Sequence, residues 1–202
     1  MASFSKTQGT TLLSLQSIGA NAVVVSPVVN VTSTIACSVF IHLGRDDTSG
    51  ALPVGVNFRF EGSAKSSGND QWFTIQSFNS FTTTPESEAL TGTLAATSTV
   101  LTLASTTNLT AGDMVFIKNT TLTNSEFARI KSIVANTSIT VIDPITNAQT
   151  GSTVYDQAES YAIIGQDLSA IARVRLVVDA SSTGTGRTTV AEAFLVTCDS
   201  IA

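Results

Sequence analysis

The stretch Val54-Gly55-Val56-Asn57-Phe58-Arg59-Phe60-Glu61 alternates residue by residue, with Val54, Val56, Phe58 and Phe60 on one side and Asn57, Arg59 and Glu61 on the other. A side-chain period of two belongs to extended backbone, so this segment is predicted to be a half-buried strand of an antiparallel sheet. Ile171 to Asp179 repeats the pattern, setting Val174, Leu176 and Val178 against Arg173 and Arg175. Further strands are expected at Thr10 to Ser17, at Ala22 to Val31 with an interruption at Pro27, at Thr34 to Leu43 and at Gln71 to Phe78. Thr189 to Cys198 is apolar on both faces apart from Glu192, which predicts a central strand or one that lies under a partner. The surface is built from 31 Thr and 25 Ser, and only 12% of residues are charged. Thr suits strands, Ser suits turns, and the best surface helix formers are scarce, so the chain is expected to be all-β.

The rhythm changes in the middle. Phe81 to Thr93 loses its apolar pattern around Pro85-Glu86-Ser87-Glu88 and reads as a linker. Tighter units follow: Thr99 to Leu103, a Gly112-Asp113 turn, Met114 to Lys118, Phe127 to Ala135, a turn at Asn136-Thr137, and Ser138 to Asp143, before a second polar passage at Asn147 to Asp156. Four or five short strands in so little sequence suit a small closed β-barrel, because closure disposes of exposed edges. The first five strands are too few for a sandwich, and the C-terminal strands complete it. The expected architecture is a discontinuous, jelly-roll-like antiparallel β-sandwich, residues 1–84 and 157–202, with a small β-barrel domain, residues 85–156, inserted at a loop whose ends are close. Three consecutive small modules are the alternative.

Chemistry finds little purchase in these residues. The net charge of −5 and a pI near 4.7 give no electrostatic footprint for nucleic acid or an anionic membrane. The longest apolar run, Ala22 to Val29, is too short to span a bilayer, and the N-terminal MASFSKTQGT lacks the apolar core of a signal peptide, so synthesis in the cytoplasm is expected. Asn-x-Ser/Thr triplets at Asn30, Asn108, Asn119 and Asn136 are therefore read as chance products of a Thr-rich chain. Two cysteines, Cys37 and Cys198, are too few for a zinc site and are expected as reduced thiols in strands, a bridge between them being the alternative. The single histidine, His42, shares a face with Phe40 and has no marked serine to serve, since no Gly-x-Ser-x-Gly occurs; it is read as a structural or interface residue. Asp46, Asp47 and Asp70 lie in loops without the spacing of a calcium site and are read as turn aspartates. A carboxylate pair for glycoside hydrolysis could come from distant positions, but two Tyr and one Trp leave little for stacking sugars. Gly184-Thr185-Gly186-Arg187 lacks the Lys-Ser/Thr of a phosphate loop and reads as a hairpin tip, and Gly112-Asp113 reads as a strand-entry turn. No catalytic residue, cofactor site or metal site is assigned, and the chain is not expected to be an enzyme.

The series TVLTLASTTNLTAGDMVFIKN followed by EFARIKSIVANTSITVIDPITNAQTG is similar to a small β-barrel module of tailed-bacteriophage virion proteins. The flanking SVFIHLGR, VGVNFRFEGSAKSSGNDQW and RVRLVVDASSTGTGRTTVAEAFLVTCDSI resemble small phage structural proteins encoded near capsid genes. The resemblance covers most of the chain and brings no catalytic residues. It implies a virion component on the capsid surface, a decoration (cement) protein that bridges subunits of the major capsid protein as a homo-oligomer, most simply a trimer matching local threefold axes. A tail, vertex or receptor-binding protein is the alternative, with a glycan-binding or glycan-hydrolysing module behind it. The C-terminal strand and the Pro27-containing segment are the expected contact surfaces.

Overall fold

The computed structural model describes residues 4–47, 55–68, 71–80, 86–180 and 188–201. In chain order the strands are β1 (Phe4–Ile18), β2 (Val23–Val25), β3 (Val29–Asn30), β4 (Ala36–Arg45), β5 (Asn57–Ser63), β6 (Phe73–Asn79), β7 (Ser87–Ala89), β8 (Thr93–Leu94), β9 (Val100–Thr102), β10 (Met114–Lys118), β11 (Glu126–Val134), β12 (Ser138–Val141), β13 (Gln149–Thr150), β14 (Thr153–Asp167), β15 (Arg173–Asp179) and β16 (Thr189–Ile201). A single 3-10 turn, Leu122–Asn124, is the helical content of the described residues. The protein is all-β and every strand pairing is antiparallel.

Two sheets face each other. The larger runs β1-β16-β4-β14-β10-β11-β12-β9, with β7 also on β14; the smaller runs β2-β15-β5-β6, with β3 also on β15. Between them lies a core of alternate residues: Val39, Ile41 and Leu43 from β4 and Ala191, Ala193 and Leu195 from β16 meet Phe58 and Phe60 from β5 and Val174, Leu176 and Val178 from β15. The final strand is therefore internal, flanked by β1 and β4. Pro27 divides the expected Ala22 to Val31 strand into β2 and β3, because proline has no N–H for the ladder. Ser26 fills the gap: its N–H donates to Leu176 O at 2.9 Å and its Oγ accepts from Leu176 N at 2.9 Å. In β1 an extra residue opposite β16, between Thr11 and Leu13, puts adjacent Leu12 and Leu13 both in the core.

A second core lies wholly within residues 90–154. Leu101, Leu103, Val115, Ile117, Ile130, Ile139, Val141, Ile145 and Val154 pack there, all nearly inaccessible. Around it β14 pairs with β10, β10 with β11, β11 with β12 and β12 with β9, and β7 returns to β14. The step from β9 to the β7 side is a lone bridge, Leu90 to Leu103, so the ladder is not continuous around the ring. The polar passage from Asn147 to Asp156 contains β13 and the start of β14, and β14 runs without a break past residue 157.

Outside both cores, the inserted segment packs on the sandwich at Gly44. A Cβ at that position would lie 3.0 Å from Phe116 Cβ, 3.0 Å from Phe127 Cε1 and 3.2 Å from Val190 Cγ2. The absence of a side chain lets the two phenylalanines of the inserted segment, whose rings stand 5.0 Å apart, settle on the outer face of β4. Phe116 is fully buried there. Gly44→Val is expected to lower unfolding stability by about 1–3 kcal/mol through overpacking, read as a reduced urea midpoint.

Candidate functional site

Asp46 and Asp47 follow β4, and the structure spends both on holding the molecule together. Arg45, with no exposed surface, donates from Nη2 to Asp47 Oδ1 at 2.9 Å and from Nε to Thr188 O at 3.2 Å, while Thr188 N donates to Asp47 Oδ2 at 2.6 Å. Asp46 is buried and accepts from the Thr188 hydroxyl. Lys118, at the end of β10, places Nζ 3.3 Å from Asp46 Oδ2 and donates to Asp46 O at 2.9 Å. Strands of the sandwich and of the inserted segment are thus tied at one polar knot. These carboxylates face guanidinium, ammonium and hydroxyl groups rather than a cleft where a sugar could lie. Asp70 and Gly184-Thr185-Gly186-Arg187 fall outside the described residues. Among the described residues, no three of His, Cys, Asp and Glu are grouped so as to hold a metal ion.

His42 lies on the outer face of β4, as its shared face with Phe40 requires. Its cross-strand neighbour is Glu192, with Nδ1 2.9 Å from Oε1, and its ring stands 5.4 Å from Phe127 and 6.3 Å from Phe194. It borders a cleft of about 350 Å³ between the outer face and the inserted segment, together with Arg129, Asp143 and Ser160. Two of the cleft's charged groups are turned to the backbone. Glu126 accepts from Thr146 N at 2.7 Å and Asn147 N at 3.1 Å, and Arg129 donates to Gly112 O at 2.7 Å.

The Gly112-Asp113 corner closes the same way. Gly112 has φ +99°, a conformation that favours glycine, and donates to Ile130 O at 2.8 Å; Asp113 Oδ2 accepts from Thr110 N at 2.9 Å, and its O accepts from Ile130 N at 2.8 Å. Of the four Asn-x-Ser/Thr triplets, Asn119 is buried, donating to Gln149 Oε1 at 3.0 Å and Ser152 Oγ at 3.3 Å, while Asn30, Asn108 and Asn136 are exposed.

Cys37 and Cys198 are both free thiols. Register explains it: Cys37 pairs with Thr197 and Cys198 with Ala36, so the two sulfurs project to opposite faces of one sheet. Cys37 is in the core, and burial pushes its thiol up to about 12. The thiol therefore stays protonated through the ordinary titration range.

The outward faces of the two sheets differ in chemistry. On the smaller sheet a ladder of charges is paired with itself: Asp179 to Arg59 at 3.1 Å, Arg59 to Glu61 at 3.3 Å, and Glu61 to Arg175 at 2.7 Å. Arg175 then stacks on Trp72, 4.1 Å from the ring centre, and Arg173 lies 5.1 Å from it while donating to Lys65 O and Gly68 O. On the larger sheet, beyond the reach of Phe127, apolar side chains of the described residues stand open on the outer face. Phe40 is 37% exposed and Ile164 is 68% exposed, and both border a groove of about 430 Å³ whose other residues include Ala36, Ser38, Val196 and Cys198. Val23, Val25 and Val28, each about half exposed, line the edge of the smaller sheet. The two-sided apolar character of the last strand signalled the groove; Ile164, inside an unremarkable Ala-Ile-Ile-Gly run, gave no signal.

Two outcomes test these assignments. Asp46→Ala removes the acceptor of the Thr188 hydroxyl and the partner of the part-exposed Lys118, and is expected to cost about 1–2 kcal/mol in unfolding stability, measured by urea titration. For Cys37, both folded and unfolded states hold the proton below the ordinary thiol value of 9.0, and above it only the unfolded state releases it. The unfolding midpoint should therefore fall as pH rises from about 9 towards about 12, a slope that Cys37→Ala flattens. At pH 8 a thiol reagent should leave Cys37 unmodified until the chain unfolds.

No known protein family matches the chain, and no curated protein matches its sequence. Among solved structures it aligns with VP17, a capsid protein of bacteriophage P23-77, over 97% of this chain and 99% of that one, at 12% identity and a TM-score of 0.17. A score that low does not demonstrate a common fold, and the functional reading rests on the residues themselves.

Proposed function

We propose that the chain is a structural component of a bacteriophage virion, a capsid decoration (cement) protein that stabilises the shell by bridging subunits of the major capsid protein. The observation that carries this reading is the contrast between satisfied polar groups and unsatisfied apolar surface. Asp46, Asp47, Asp113 and His42 are engaged with groups of the chain itself, while Phe40, Ile164 and the valines of the β2 edge stand open to solvent. A protein that works by contact concentrates its binding energy in buried interface area, and apolar side chains without competing charge are the efficient way to supply it. The resemblance of the sequence to phage structural proteins supports the same reading. So does the surface chemistry, since hydroxyls keep an abundant protein in solution and net negative charge keeps it from packaged DNA.

In this reading the protein needs no cofactor, has no catalytic role, and acts as a homo-oligomer, a trimer placed on the outside of the shell. The test is addition of the purified protein to expanded capsids that lack it. Stoichiometric uptake, hundreds of copies per particle, with increased resistance of the shell to heat is the expected result. Failure to bind, or a copy number of three to twelve in the intact virion, overturns it in favour of a tail or vertex position.

A further inference from the structure

We draw no further inference here: the strongest candidate, the apolar groove beside the Ile164 ridge on the outer face of the larger sheet, carries nothing because nothing among the described residues shows what covers it.

Discussion

Strand β14 has to serve two hydrophobic cores with one backbone, and the arrangement of the molecule follows from how it does so. At Val154 it contributes to the core of the inserted segment, and at Ile163 to the core of the sandwich. Those positions differ in parity, so a regular strand would present them to opposite faces. Against β10 the register steps from Phe116–Tyr155 to Met114–Ala158, an extra residue on β14 that reverses the alternation between the two cores. A second extra residue follows at Ile164-Gly165. With the phase corrected, β14 joins β10 to β4 in a single sheet, and the inserted segment is continued from the sandwich by hydrogen bonds as well as by covalent chain.

That same correction explains what could be read from the sequence. Phe58 and Phe60 of β5 and Val174, Leu176 and Val178 of β15 all face the sandwich core, so the period read in these two segments carries through to the structure. Met114 to Lys118 was legible for the same reason, its Val115 and Ile117 both inward. β14 was not legible, because two phase changes in 15 residues leave no period to detect, and its polar Asp156, Gln157 and Glu159 resemble a loop. The split at Pro27 was visible from the missing N–H, whereas the substitute donor and acceptor, Ser26, was visible only in three dimensions.

The site candidates divided along similar lines. Local chemistry identified Gly112-Asp113 as a corner and His42 as a residue on the outer face, because both depend on neighbours close in sequence or on strand parity. Besides the nearby Arg45, Asp46 and Asp47 hold Lys118 and Thr188 from more than 70 residues away, and no spacing announces those two. The uncovered groove was half legible: the last strand betrayed apolar residues on both sides, but the ridge that shapes the groove depends on a bulge. The contrasting charge ladder on the smaller sheet used Arg173 and Arg175, which the pattern placed outward, and Trp72, whose stacking role required the fold.

The joint between the two cores also decides how the molecule carries force. Tension applied to the inserted segment enters the sandwich along the axis of β14, where residues Ala158 to Asp167 lie antiparallel to Gly44 to Ala36. Hydrogen bonds loaded along the strand direction are strained side by side and must give way together, whereas bonds pulled open from one end fail in succession. A pull along β14 therefore loads these bonds in shear, with the Lys118–Asp46 tie as a second link beside them.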